Sequence, residues 1–125
     1  MTSWLAYLCV ALGGAAGACL RHFIQESSTK VLGVGFPFGT LAVNVVGAFG
    51  LGLAYALLQV HAPHSALRLF LSVGLLGALT TFSTFSLDTL LLIQSGEFVK
   101  AGLNVFANVI LCLCGLWLAI SIVRG

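Results

Sequence analysis

Charged side chains are rare in this sequence of 125 residues. Asp, Glu, Lys and Arg make up 6% of it, hydrophobic residues make up 60%, and the mean hydropathy is +1.15. Soluble domains contain about 25% charged residues, so the composition excludes an ordinary soluble domain. It is typical of an integral membrane protein.

Groupings of catalytic and metal-ligating residues are missing as well. The sequence has no Cys-x-x-Cys pair, no paired carboxylates, no Ser/His/Asp set and no glycine-rich loop ahead of a basic residue. Its four cysteines lie in apolar runs, where cysteine behaves as a small hydrophobic residue. Asp88 is the single acidic residue within such a run and lies near its end, whereas proton-coupled cation exchange uses a carboxylate inside the membrane. We therefore expect neither an enzyme nor a proton-coupled cation exchanger.

Four apolar runs are each long enough to cross a membrane. A hydrocarbon core of about 30 Å requires about 20 apolar residues in a helix, and the runs cover residues 4–23, 38–59, 67–93 and 99–123. The first run is too long for a removable signal peptide, and it lacks a basic start and a cleavage site. The sequence therefore predicts an all-α integral membrane protein with a single four-helix transmembrane domain over residues 1–125.

The distribution of Lys and Arg gives almost no indication of orientation. With an even number of spans, two basic residues lie on one side of the membrane and three on the other. They are Arg68 and Arg124 against Arg21, Lys30 and Lys100. Because an excess of positive charge in short loops orients membrane proteins, this near-even split is compatible with insertion in both orientations.

Two of the predicted helices carry a polar stripe. Thr40 and Asn44 in the second helix are four residues apart, as are Asn104 and Asn108 in the fourth, and this spacing places each pair on one face. A primary amide is not left unpaired in hydrocarbon. Asn44 therefore either forms a hydrogen bond to another helix, worth about 1 kcal/mol, or donates an N–H to an anion. Two aligned stripes favour a buried aqueous or ionic path more than either stripe alone.

The third predicted helix contains the hydroxyl-rich stretch GALTTFSTF at residues 77–85. Gly77 adds backbone freedom, the β-branched Thr80 and Thr81 lower helix propensity, and their hydroxyls compete for backbone carbonyls. We therefore expect a local break near the middle of this helix. Non-helical backbone persists at such depth where it is buried in protein or lines a cavity, and its freed carbonyls suit a cation such as sodium.

Two phenylalanines follow the expected break. Phe82 and Phe85 are three residues apart and are therefore neighbours on one face of a helix. An aromatic ring has a positive edge, so two ring edges in a narrow path would attract an anion weakly without a formal charge. The alternative is ordinary core packing. Arg21, at the end of the first predicted helix, either attracts anions to an entrance or extends its charge to the membrane surface.

Three motifs follow one another along the sequence. They are GGAAGACLRH at residues 13–22, GTLAVNVVG at residues 39–47 and GLLGALTTFSTFS at residues 74–86. All three resemble motifs of the Fluc/CrcB fluoride channels. Their order, and the specificity of the third motif, make the chain similar to this family over essentially its full length. His22 stands where the family usually has tyrosine, and Ala78 stands where it has glycine.

The fourth helix departs from the family pattern. Asn104 and Asn108 stand where the family often has tyrosine and then serine. The departure concerns the polar lining of the path rather than the resemblance itself.

The resemblance implies a channel that exports fluoride passively from a microbial cytoplasm across the cell (inner or plasma) membrane. It implies an antiparallel, dual-topology homodimer with two fluoride pathways, embedded in the lipid bilayer as a multi-pass protein. Phe82 and Phe85 would line each pathway, and Asn44 would coordinate fluoride. The other implied pathway residues are Thr40, Ser83, Thr84 and Asn108, with Arg21 at the vestibule.

The resemblance also implies a structural sodium ion on the dimer axis. Backbone carbonyls of Gly77 and Thr80 from both subunits would hold it. A cluster of converging carbonyl dipoles on a two-fold axis needs a cation to offset it, so the implied ion agrees with the expected helix break.

Two other functions fit parts of the sequence. A small four-helix multidrug antiporter is also a dual-topology homodimer of similar length, but it would need a glutamate in its first membrane helix, and residues 4–23 contain none. A non-transporting accessory membrane subunit would share the composition. The two polar stripes and the resemblance weigh against it.

Overall fold

The computed structural model describes residues 2–125, and all regular secondary structure within them is helical. Four segments are long and apolar enough to cross a membrane, with mean hydropathies from 1.6 to 2.4 in their most apolar windows. They are α1 (Ser3–Leu32), α2 (Phe38–Gln59), α3 (Ala66–Gln94) and α4 (Phe98–Arg124). The prediction of an all-helical, multi-pass membrane protein with four long apolar helices is confirmed.

The first helix is longer than the sequence predicted. It continues to Leu32 instead of ending with the apolar run at residue 23, so the polar segment that follows this run is helical. No glycine or proline interrupts this segment before Gly33, which has a positive φ of 81° and donates its N–H to the carbonyl of Thr29. At 1.5 Å per residue, α1 is about 45 Å long, so its polar end extends beyond a hydrocarbon core of about 30 Å.

Close contact between α1 and the first part of α3 depends on glycine. A Cβ atom added to Gly13 would lie 2.1 Å from the carbonyl oxygen of Phe70, and one added to Gly17 would lie 2.1 Å from that of Leu75. Small residues four apart permit this approach of two membrane helices. Gly13 and Gly17 therefore lie at the helix contact, whereas a Cβ on the adjacent Gly14 would have no neighbouring atom within 4 Å.

The backbone of α3 is irregular along much of its length. Leu69–Leu76 forms a π-helix and Gly77–Leu79 a single α-helical turn. Thr80 and Thr81 then have extended dihedral angles, with φ of −81° and −150° and ψ of 153° and 116°. The α-helix continues over Phe82–Gln94. Irregular turns inside long helices often accompany functional sites, and the extended residues Thr80 and Thr81 lie in the hydroxyl-rich stretch.

The interior of the bundle is polar in part, and its outer surface is apolar. Val43, Leu79 and Asn104 are the largest fully buried side chains, so a primary amide lies among the residues most completely enclosed by protein. Large apolar side chains such as Trp4 and Trp117 are exposed. This distribution is the one that lipid as a solvent favours, because apolar groups can face outward while buried polar groups pair with each other.

Candidate functional site

A cavity of about 490 Å³, which we call the central cavity, lies between α2, α3 and α4 beside the extended residues. Most of the residues that the sequence indicated line it together. They are Asn44, Gly77, Thr80, Phe82, Phe85 and Asn108, and Thr81 joins them. Asn44 of the α2 stripe, Asn108 of the α4 stripe and the hydroxyl-rich stretch of α3 therefore meet at one place.

The side chain of Asn44 is paired with the backbone of Thr81. Its Oδ1 accepts the Thr81 N–H at 2.7 Å, and its Nδ2 donates to the Thr81 carbonyl oxygen at 3.2 Å. The amide of Asn44 supplies one donor and one acceptor, as a neighbouring peptide group would. The N–H and carbonyl of Thr81 therefore both have hydrogen-bond partners although the backbone is extended there. The pairing also fixes the orientation of the Asn44 amide.

The same hydrogen bonds release two carbonyl groups of α3. In a continuous helix the N–H of Thr81 would bind the carbonyl of Gly77, and the N–H of Thr84 would bind that of Thr80. The first N–H donates to Asn44 instead, and the second donates to the Thr81 Oγ1 at 3.1 Å as an N-terminal cap. The carbonyls of Gly77 and Thr80 thus lose their helical donors, and oxygen donors of this kind fit a sodium ion.

A chain of hydrogen bonds, which we call the amide chain, connects Asn44 through Asn108 and Asn104 to Thr89. Asn44 Nδ2 donates to Asn108 Oδ1 at 2.9 Å, and Asn108 Nδ2 donates to both the Oδ1 and the backbone oxygen of Asn104, at 3.1 and 2.8 Å. Asn104 Nδ2 donates to Thr89 Oγ1 at 2.9 Å, which donates to the Phe85 carbonyl at 2.8 Å. Asn44 thus makes the helix–helix hydrogen bond that was one of its two interpretations, and Asn104 connects α4 to α3.

The two phenylalanine rings lie side by side but differ in exposure. Their centroids are 5.5 Å apart and their planes are inclined at 53°. Phe85 is 9% exposed, whereas Phe82 is 78% exposed in the single chain. Both rings line the central cavity, so one ring belongs to the packed interior and the other stands on the protomer surface beside it.

A second cavity of about 420 Å³, which we call the entrance cavity, lies between the polar end of α1, the start of α2 and the second part of α3. Thr40 and Thr84 line it, together with Gln25 and Asp88. Thr40 Oγ1 donates to Asp88 Oδ2 at 2.7 Å and accepts from Gln25 Nε2 at 3.4 Å. The carboxylate therefore orients the hydroxyl hydrogen of Thr40 toward itself.

The structure adds residues that the sequence did not assign to the site. Gln25 was missed because the first helix was expected to end before it. Asp88 follows Thr84 by four residues, and that helical spacing was the signal that could have placed the two on one face. Thr81 was recognised only as one hydroxyl in a cluster, since its cap and its pairing with Asn44 depend on tertiary contacts.

Two residues indicated by the sequence lie outside these two cavities. Arg21 is partly buried, and its Nε donates to the carbonyl oxygen of Ala78 at 3.0 Å, next to the extended residues of α3. Ser83 is exposed, and its Oγ lies 3.4 Å from Thr81 Oγ1. Both are adjacent to the irregular backbone, and in the single chain neither is among the lining residues of the two cavities.

Comparison with known proteins places this chain in a family. Residues 8–120 match the family described as CrcB-like protein, Camphor Resistance (CrcB). A protein of Pseudoalteromonas translucida named fluoride-specific ion channel FluC is 54% identical over 115 residues, which are 91% of this chain and 96% of that protein. A protein of the same name from Alteromonas mediterranea is 49% identical over 127 residues, which cover 100% of both chains. Another from Shewanella amazonensis is 54% identical over 111 residues, which cover 89% of this chain and 90% of that protein. The chain therefore belongs to the CrcB-like protein family.

Proposed function

We propose that this protein is a fluoride-selective channel through which fluoride leaves the cytoplasm passively, which lowers its toxicity. The observation that carries the proposal is the central cavity, where the fixed amide of Asn44 meets the rings of Phe82 and Phe85. The relatives described above are named fluoride-specific ion channels, and this supports fluoride as the ion and a channel rather than an enzyme. The cell (inner or plasma) membrane is the proposed location.

The chemistry of the central cavity suits a small, strongly hydrated anion. Amide and hydroxyl donors can replace part of the water around fluoride, and the positive edges of Phe82 and Phe85 add a weak attraction. No charged residue is among those lining the central cavity. An uncharged site lets the anion leave again, and pore dimensions together with lining donors determine which ions pass.

In this proposal fluoride passes between the entrance cavity at the polar end of α1 and the central cavity beside the middle of α3. Thr40 lines the first cavity and Asn44 lines the second, and the two residues lie one turn apart on one face of α2. The hydroxyls of Ser83 and Thr84 and the amide of Asn108 extend the polar track in the proposal. Arg21 attracts anions toward the vestibule, and its hydrogen bond to Ala78 keeps it beside the extended backbone.

The functional unit in this proposal is an antiparallel, dual-topology homodimer with two fluoride pathways. The exposure of Phe82, at 78% in the single chain, supports a partner at this face, because the ring can line a narrow path only if protein covers it. The near-even distribution of Lys and Arg supports insertion in both orientations. In such a dimer, α3 acts as two half-helices joined at Thr80 and Thr81.

A structural sodium ion at the dimer interface completes the proposal. The carbonyls of Gly77 and Thr80 fit it, because both have lost their helical donors to Asn44 and Thr81. When bound, the ion would supply positive charge that offsets carbonyl dipoles of both subunits. Asn44 then holds the backbone in the conformation that presents these oxygens.

Ion efflux from liposomes tests the proposed function directly. Liposomes loaded with fluoride or with chloride and containing the purified protein receive a potassium ionophore, so that potassium supplies the counter-charge. Fluoride should leave rapidly and chloride only slowly. Equal efflux of the two anions would reject selectivity for fluoride, and efflux of neither anion would favour a non-transporting accessory subunit.

A further inference from the structure

We propose that the side-chain oxygen of Asn108 competes with fluoride for the one amide hydrogen of Asn44 that can be released to an anion. The inference rests on the proposed function and specifies how tightly that site holds its ion. It follows from the direction of each hydrogen bond in the amide chain.

Both hydrogens of the Asn44 amide are already engaged in the protein. A primary amide has two N–H groups. Nδ2 of Asn44 donates to the Thr81 carbonyl at 3.2 Å and to Asn108 Oδ1 at 2.9 Å. An anion that binds Asn44 must therefore displace one of these two oxygens.

The hydrogen facing Thr81 is the more difficult one to release. Asn44 Oδ1 also accepts the Thr81 N–H at 2.7 Å, so rotation of the amide would break two hydrogen bonds at once. Thr81 is only 9% exposed, and a buried N–H without a partner is unfavourable by the full cost of its desolvation. The hydrogen facing Asn108 can be released while the pair with Thr81 stays intact.

Asn108 is held with its oxygen, and not its nitrogen, toward Asn44. Its Nδ2 donates to the backbone oxygen of Asn104 at 2.8 Å and to Asn104 Oδ1 at 3.1 Å. A flip of the Asn108 amide would place its Oδ1 about where Nδ2 now lies, 2.8 Å from the backbone oxygen of Asn104, and the two oxygens would repel each other. Asn104 is 0% exposed and its own Nδ2 donates to Thr89, so Asn104 presents oxygens to Asn108 and holds the Asn108 amide in this orientation.

A fixed acceptor beside the donor has a predictable effect on ion binding. Each fluoride that binds Asn44 must break the hydrogen bond to Asn108 Oδ1, and the bond re-forms when the ion leaves. The competition weakens equilibrium binding and assists release. Serine at this position would act differently, because its short hydroxyl can donate to the carbonyl four residues earlier and leave Asn44 free.

The experiment compares the parent protein with Asn108→Ser and Asn108→Leu in fluoride efflux and in fluoride-dependent thermal stabilisation. Both variants remove the competing oxygen, and Leu keeps most of the side-chain volume. We expect the half-saturating fluoride concentration to fall by about threefold to tenfold, the range that corresponds to one hydrogen bond of ordinary strength. The fluoride-dependent rise in melting temperature should begin at correspondingly lower fluoride, because a ligand stabilises the state that binds it.

The outcomes separate this inference from the proposed function. If the parent protein conducts fluoride and the half-saturating fluoride concentration is unchanged or raised in both variants, the competition is overturned while the channel function stands. A parent protein that releases no fluoride would overturn the channel and with it the competition. If Asn108→Leu fails to fold, Asn108→Ser decides, since its hydroxyl still satisfies the Asn104 carbonyl.

Discussion

The side-chain amide of Asn44 on α2 forms two hydrogen bonds with the backbone of Thr81 on α3, a residue 37 positions further along the chain. The pair occupies the backbone groups that α3 would otherwise use to continue as a helix at this point. Because Asn44 accepts the Thr81 N–H, the carbonyl of Gly77 loses the donor that it would have in a continuous helix. One polar residue on α2 thus determines both the donor that faces the central cavity and the local shape of α3.

Replacement of Asn44 by Asp tests this double role. A carboxylate can still accept the Thr81 N–H, but it has no hydrogen for the Thr81 carbonyl or for Asn108, and its charge repels an anion. Fluoride efflux should fall by about tenfold to a hundredfold, because a hydrogen bond to a charged group is worth about 1.5–3 kcal/mol. Efflux from liposomes measures this, and size-exclusion chromatography shows whether assembly is kept. Efflux at the parent rate in a correctly assembled variant would contradict the role of Asn44.

Replacement of either phenylalanine by isoleucine should slow fluoride efflux without preventing assembly. The ring edge is lost, while most of the apolar volume remains. Phe85→Ile should also lower the melting temperature, because Phe85 is 9% exposed within the chain and substitution of a buried ring leaves a cavity. Phe106→Ile is the matched control, since Phe106 is exposed on α4 and outside both cavities. If Phe82→Ile and Phe85→Ile both kept the parent rate, the rings would have no role in conduction.

The sequence predicted the membrane fold well, because lipid imposes a simple rule on it. A spanning helix must be apolar over about 20 residues, and this length requirement alone located α2, α3 and α4 to within a residue or so at each end. The same rule did not locate the polar end of α1. Hydropathy detects where a helix leaves hydrocarbon, and it carries no signal for a helix that continues into water until Gly33 ends it.

Spacing along single helices predicted part of the site and missed its connections. Intervals of three and four residues placed Asn44, Phe82 and Asn108 on faces that the structure brings to one cavity. The partners of Asn104 and Thr81 could not be read in this way, because they depend on how helices pack against each other. The direction of each hydrogen bond is likewise a tertiary property, and it decides whether an amide offers a donor or an acceptor.

Close packing of α1 against α3 predicts a sharp contrast between two neighbouring glycines. Gly17→Ala should destabilise the protein by about 1–3 kcal/mol, the usual range for overpacking, because the new methyl group would lie 2.1 Å from the backbone oxygen of Leu75. Gly14→Ala is the matched control, with no atom within 4 Å of its added Cβ. Thermal unfolding in detergent measures both variants. Equal melting temperatures would mean that α1 and α3 do not approach as closely as the structure has them.

Removal of sodium tests whether the released carbonyls of Gly77 and Thr80 hold a cation. Protein purified with a large organic cation in place of sodium should have a lower melting temperature and should form the proposed dimer less stably, because the carbonyl dipoles would then repel each other without an ion between them. Added sodium chloride should restore both properties, and the stabilisation should grow with sodium concentration as expected for a ligand that binds the folded state.

Choline chloride at equal ionic strength is the control for that experiment, because it supplies the same anion and the same screening but a cation too large for a carbonyl site. Asn44→Leu provides the second comparison. It removes the acceptor of the Thr81 N–H, so this N–H becomes free to bind the Gly77 carbonyl again and the response to sodium should shrink. Equal stabilisation by choline and sodium, or a sodium response that Asn44→Leu leaves unchanged, would contradict a cation site at these oxygens.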